Sequence, residues 1–254
     1  MKTDISRLPQ AGNRVAFDIN GELVPVNSFR DFYAFEQHVK AARARRGAEM
    51  IPEWYELAVF YFSNHNSMLL SGEDLPFPPA GEWLDFELEV GCVIGKECRN
   101  IKAAEADEYI AGYTVLNDWS LRDAQRKEMK LNLGPAKGKD FATTIGPQLV
   151  SLDELEDKRS GKGYDLVMTA QVNGKELSRG NWKDIHYSFG EIIERASQGV
   201  TLYPGDVLGS GTVGTGCILE LGPENTGGWL KVGDVVELEI ERLGLLRNKI
   251  VEAE

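Results

Sequence analysis

Cysteine and histidine are both scarce in this 254-residue chain, with three of each. Cys92, Cys98 and Cys217 make an odd number, and no pair has C-x-x-C spacing. Neither a disulfide framework nor a zinc knuckle is expected, and a reducing cytoplasm is the compartment that fits. Positive charge is also short: 28 Lys and Arg face 40 Asp and Glu, a net charge of −12. That balance argues against a nucleic-acid or anionic-membrane partner, because each needs a basic face. No apolar run approaches the ~18 residues of a membrane span. The opening MKTDISRLPQAGNR has no apolar signal-peptide core. There is no HExxH, no His/Cys cluster and no GxSxG, which removes the usual zinc-protease and α/β-hydrolase readings. Repeats, low-complexity tracts and linker-like stretches are missing as well.

What is present is an ordinary globular composition, 42% hydrophobic and 27% charged. A chain of this size can bury ~70–75% of its unfolded surface, so a full core needs no staples. Residues 12–26 read as a hairpin, with Val15, Phe17 and Ile19 alternating before an Asn20-Gly21 turn. Residues 28–46 read as a helix, with Ser28 as N-cap, Asp31 at the third helical position and an apolar stripe of Phe32, Phe35, Val39 and Ala42. Strands are expected at 84–94, 112–118, 164–173, 206–209, 217–221 and 234–242, and helices at 104–111, 119–130 and 187–198. Strands outnumber helices and do not alternate with them regularly, which favours a β-rich α+β fold over a doubly wound sheet.

Several residues can carry chemistry, each with a plainer reading beside it. Glu87 and Glu89 lie two apart on a strand, hence on one side and ~6.6–7 Å apart. They are either a pair that a cation bridges or the solvated face of an antiparallel strand. Asp118 ends an apolar strand, where it can project toward a ligand or cap the helix that follows. Asp31 at a third helical position often only satisfies backbone amides. His38 follows Asp31 by two helical turns, on nearly one face and ~10 Å along the axis. Residues 209–214 spell GSGTVG, but they lead into a strand-like Cys217–Leu221 run, whereas a dinucleotide fingerprint needs strand, turn and helix. The loop, with Ser210 and Thr212, can still offer backbone amides to a carboxylate or oxyanion.

Five blocks in order resemble the fumarylacetoacetase (fumarylacetoacetate hydrolase, FAH) family: DFYAFEQH (31–38), LDFELEVG (84–91), LNDWSLRDAQ (116–125), GKDFATTIGP (138–147), and GDVLGSGT (205–212) followed by CILELG (217–222). The resemblance implies an FAH-type mixed β-roll or barrel with a few peripheral helices. It divides the chain into a short N-terminal extension (1–27) and a catalytic domain (28–254). It implies an all-oxygen shell of Asp31, Glu87, Glu89 and Asp118 around Mg²⁺ or Ca²⁺, a donor set that suits a hard cation. It makes His38 the general base, Glu220 its orienting carboxylate, and Lys139 a stabiliser of the metal region and the oxyanion. Ala142 and Thr143 resemble a cradle for the same region. Tyr33, Tyr61, Arg122, Gln125 and Thr212 fall on substrate-contact positions, with Arg122 expected to pair with a substrate carboxylate.

The implied reaction is hydrolysis of the carbon–carbon bond of a 1,3-diketo acid, with fumarylacetoacetate or an acylpyruvate as substrate and a homodimer as the assembly. Two other readings stand beside it. One is a relative that decarboxylates or tautomerises a small 2-keto acid such as oxaloacetate. The other is a non-catalytic divalent-cation scaffold.

Overall fold

The computed structural model describes residues 2–8, 12 and 14–253. Strands dominate, and the α+β expectation holds. The central sheet has seven strands in the order Phe60–Ser63, Ser28–Phe32, Asp206–Gly209, Leu88–Ile94, Ile110–Asn117, Thr143–Ile145 and Met68–Leu70. Asp206–Gly209 runs parallel to Ser28–Phe32 and antiparallel to Leu88–Ile94, so it wedges between two strands distant from it in the chain. A five-stranded sheet contains Val167–Val172, Val235–Ile240 and Gly244–Val251. Val236, Leu238 and Ile240 are all buried, as their alternation predicts.

The Asn-Gly hairpin forms as expected. Arg14–Ile19 pairs with Glu22–Pro25 through Asn20 and Gly21, both at positive φ (57° and 85°), the geometry that matches strand twist. The hairpin packs Val15, Phe17 and Ile19 onto Phe29, Val93, Leu116 and Val207 of the central sheet. Strand parity then shapes the rest of that face. Asp31 lies two residues beyond Phe29, Glu89 four before Val93, Asp118 two beyond Leu116 and Gly209 two beyond Val207. One sheet face is therefore apolar beneath the hairpin and acidic past it.

Three sequence expectations are corrected. Residues 28–32 are a strand, and the helix is shorter, Glu36–Ala44, so Asp31 caps nothing and does not share a helix face with His38. Pairing on both sides, to Asp206–Gly209 and to Phe60–Ser63, overrides the local capping pattern. The expected helix at 119–130 begins at Arg122, after Ser120–Leu121 pairs with Leu84–Asp85, so Asp118 is no N-cap either. The expected strand at 217–221 is a short helix, Ile218–Leu221. Short apolar runs do not distinguish the two by periodicity. GSGTVG is therefore followed by a helical turn rather than a strand. The Gly211 amide nevertheless has an occupant within the protein, Glu89 Oε2 at 3.1 Å. All seven residues of Leu88–Ile94 are buried, which removes the solvated-face reading of the Glu87/Glu89 pair. Among the described residues, no helix is long and apolar enough to cross a membrane.

Candidate active site and metal centre

Four carboxylates meet at the acidic end of the sheet face. Asp31, Glu87, Glu89 and Asp118 each offer an oxygen within 4.8 Å of the others, and all four are buried. Gly209 makes this convergence possible. A Cβ there would stand 2.3 Å from Asp31 Oδ1 and 3.0 Å from Glu89 Oε2, so no larger residue fits without displacing a carboxylate.

Two buried cations serve one side of the cluster. Lys139 Nζ bonds Glu87 Oε2 and lies 2.5 Å from Asp118 Oδ2. The Arg122 guanidinium donates from Nη2 to Glu87 Oε1 at 2.7 Å. Tyr61 donates its phenol to Asp118, and Thr143 Oγ1 lies 3.3 Å from Asp118 Oδ1. Burial pushes Glu87 up, but Arg122 and Lys139 outweigh it and hold its carboxylate well below the usual range. Burial opposes the charge of Lys139, yet Asp118 and Glu87 raise its pKa.

Among the described residues, no cation forms an ion pair with Asp31 or Glu89 on the other side. Asp31 Oδ1 and Glu89 Oε1 are buried without a hydrogen-bond partner. Burial, then the charge of Asp118, pushes Asp31 up to about 8. Burial and the neighbouring Asp31 carry Glu89 well above the ordinary carboxylate range. Burial also raises Asp118. Converging buried carboxylates with orphaned oxygens are costly unless protonated or bridged by a cation. An all-oxygen donor set of this charge fits a hard divalent ion.

His38 stands on the Glu36–Ala44 helix, buried, with Nδ1 2.8 Å from Glu220 Oε2. Glu220 comes from the Ile218–Leu221 helix, so two distant short helices meet at this contact. His38 also lies close to Glu87, with donor atoms of the two within 4.8 Å. The imidazole and the acid cluster thus form one site.

The substrate-contact candidates are placed as follows. Tyr33 packs edge-on to His38, ring centroids 5.6 Å apart. Gln125 Oε1 accepts from Arg122 Nη1 at 3.1 Å. Thr212 is buried in the loop after Asp206–Gly209. Tyr61 is engaged with Asp118, as above. Arg122 is heavily committed: Nε, Nη1 and Nη2 each already donate to the protein, leaving one N–H on each Nη.

Sequence reasoning missed Asp85. It has no exposure, accepts from Arg122 Nε at 2.8 Å, and caps the Ile218–Leu221 helix through the amides of Ile218 (2.8 Å) and Leu219 (3.0 Å). It therefore joins the Arg122–Glu87 side of the site to the helix that carries Glu220. The signal was available, since Asp85 precedes Glu87 and Glu89 at the same two-residue spacing.

The fold and this constellation define a class. The chain matches the family described as fumarylacetoacetate (FAA) hydrolase C-terminal over residues 27–251, and it belongs to that family. It is 36% identical over 193 residues to a mitochondrial oxaloacetate tautomerase of Rattus norvegicus, covering 75% of this chain and 58% of that protein. It is 38% identical over 169 residues to a 2,4-didehydro-3-deoxy-L-rhamnonate hydrolase of Sphingomonas sp., covering 66% of this chain and 56% of that protein. The matched region thus spans a little over half the length of both relatives. A fumarylpyruvate hydrolase of Pseudomonas aeruginosa, solved with Mn²⁺ and pyruvate, has the same fold. Its TM-score is 0.71 at 23% identity, covering 91% of this chain and 92% of that one.

Proposed function

We propose that this chain hydrolyses the carbon–carbon bond of a 1,3-diketo acid, fumarylacetoacetate or a related acylpyruvate, with Mg²⁺ or Ca²⁺ held by Asp31, Glu87, Glu89 and Asp118. The observation that carries the reading is the His38–Glu220 contact of 2.8 Å beside the four-acid cluster. A bound divalent ion supplies Lewis-acid stabilisation to the enolate charge of the departing carbon.

The chain's own residues do the rest. Glu220 accepts the Nδ1 proton of His38, which leaves Nε2 as the basic nitrogen. Nε2 takes a proton from water as its oxygen adds to the carbonyl. Lys139 has two N–H donors on Glu87 and Asp118, and its third serves the developing oxyanion. Collapse breaks the carbon–carbon bond, and the proton on His38 returns to the leaving carbon. The remaining Nη hydrogens of Arg122, with Tyr33, Tyr61, Gln125 and Thr212, orient the substrate, and the working assembly is a homodimer.

A metal-supplemented screen of 2,4-diketo acids tests the reaction. His38→Ala should lower turnover by ~10²–10⁴-fold, the usual worth of a general base. Metal affinity measured by calorimetry should stay nearly unchanged. Hydrolysis within tenfold of wild type in His38→Ala would remove His38 as the base. Glu87→Gln and Asp118→Asn should lose activity that excess Mg²⁺ partly restores.

The similarity to an oxaloacetate tautomerase supports a second reading, enolisation of a small 2-keto acid at the same centre. That chemistry needs no water activation, but a base must still take the α-proton, so the His38–Glu220 pair serves either reaction. Assaying acylpyruvates, fumarylacetoacetate and oxaloacetate side by side separates the two. Metal binding without turnover of any of them would leave the scaffold reading.

A further inference from the structure

The acid cluster is not the only group of metal-ligating atoms at this site. His38, Glu87 and Cys217 each place a donor atom within 4.8 Å of the others, and all three are buried. Cys217 carries a free thiol on the residue just before the Ile218–Leu221 helix. Asp85 holds the first amides of that helix, which fixes where the thiol sits. Cys92 and Cys98 are also free and buried, but neither belongs to such a group among the described residues.

We propose that His38, Glu87 and Cys217 form a second cation site, selective for a divalent ion of the zinc class, whose occupancy withdraws the His38 imidazole from use. The donor set carries the selectivity. Nitrogen, sulfur and one carboxylate oxygen are the ligands of zinc, whereas the neighbouring four-oxygen group suits magnesium or calcium. The second shell carries the geometry. Ligating histidines characteristically give their other ring nitrogen to a carboxylate, and His38 gives Nδ1 to Glu220 at 2.8 Å. Nε2 is thus the nitrogen left for a metal.

The charge around the site also favours a second cation. Asp31, Asp85, Glu87, Glu89, Asp118 and Glu220 are faced by Lys139 and Arg122. Glu87 belongs to both groups and is the carboxylate the two ions share. On binding, a metal–sulfur bond forms and the thiol proton leaves to solvent, so uptake releases one proton per ion.

The consequence for turnover rests on the proposed role of His38 as base, because a metal and a proton would compete for one lone pair on Nε2. Binding itself does not rest on it. The test is a titration of the full chain with Co²⁺ and with Zn²⁺ while Mg²⁺ is held saturating. Wild type should take up about one Co²⁺ beyond the Mg²⁺, with the near-ultraviolet absorption of a cobalt–thiolate bond. Cys217→Ser should abolish that band and weaken Zn²⁺ by about tenfold or more, while Mg²⁺-supported turnover continues. Cys217→Ala serves the same purpose if serine disturbs the packing. Zn²⁺ should inhibit wild type without relief by excess Mg²⁺. Absence of a thiolate band in wild type overturns the inference. So does Zn²⁺ inhibition that Mg²⁺ reverses and that is equally potent in Cys217→Ser, since the ion would then sit among the four acids. Failure of every substrate leaves the absorption test intact, and a wild type that turns substrate over yet shows no thiolate band sinks the second site alone.

Discussion

The acid cluster has two halves, and they are built differently. Glu87 and Asp118 share Lys139, with Arg122, Tyr61 and Thr143 arranged around them. Asp31 and Glu89 receive one backbone amide, from Gly211, and each keeps an oxygen without a partner among the described residues. One half is electrically closed by the protein. The other is closed only by a proton or by something that binds. The closed half holds the site's shape, and the open half is where an ion gains most.

Breaking the closed half should cost most. Lys139→Met leaves Glu87 and Asp118 buried without their shared cation, and losing one partner of a buried pair costs ~3–5 kcal/mol. Urea unfolding in the presence of a chelator reads this loss, and added Mg²⁺ should recover part of it. The open half should behave in the opposite sense. Glu89→Gln removes repulsion, so metal-free stability is expected to hold or rise. Wild type should gain about 2.7 kcal/mol from Mg²⁺ at one hundred times its dissociation constant. In Glu89→Gln most of that gain should vanish, and a full gain there would show that the ion binds elsewhere.

The pH profile sharpens the same contrast with a smaller effect. Asp31 is raised from an ordinary carboxylate value to about 8. The folded state therefore holds a proton that the unfolded state releases, and metal-free stability should fall between about pH 4 and 8. Glu87 is depressed, so its contribution is present above the usual carboxylate range and is lost as pH drops through its folded value. Saturating Mg²⁺ should flatten the Asp31 slope by displacing its proton. Unfolding midpoints at several pH values, with and without metal, check the signs. Smallest is Gln125→Ala, which removes one hydrogen bond from Arg122 and should cost about 1 kcal/mol. A larger loss would mean that the arginine depends on Gln125 for its place.

What the sequence disclosed follows from how local each signal is. The Asn20-Gly21 turn and the alternation of 235–240 depend on adjacent residues and appear as expected. So does the helix Phe189–Ser197, whose Ser188 and Glu191 form a reciprocal cap. The strand Ser28–Phe32 was hidden because its pairing partners lie near residues 206 and 61. Cys217–Leu221 was misread because its helical turn is held by Asp85, more than a hundred residues earlier. Within the site, the Glu87/Glu89 spacing and the strand-end place of Asp118 were visible from the residues alone, each with a plainer reading beside it. Asp31, Asp118 and Lys139 gained meaning from the family pattern, since nothing near them in the chain announces that they converge.

The wedge formed by Asp206–Gly209 has a consequence in time. Asp31 and Glu89 lie on either side of a strand from the last fifth of the chain. Contacts closed over such separations form slowly and late. An ion therefore has no complete nest to enter during early folding and cannot act as a seed for it. Its influence belongs to the other direction, as a latch on the finished sheet that must be released before the wedge can slip out.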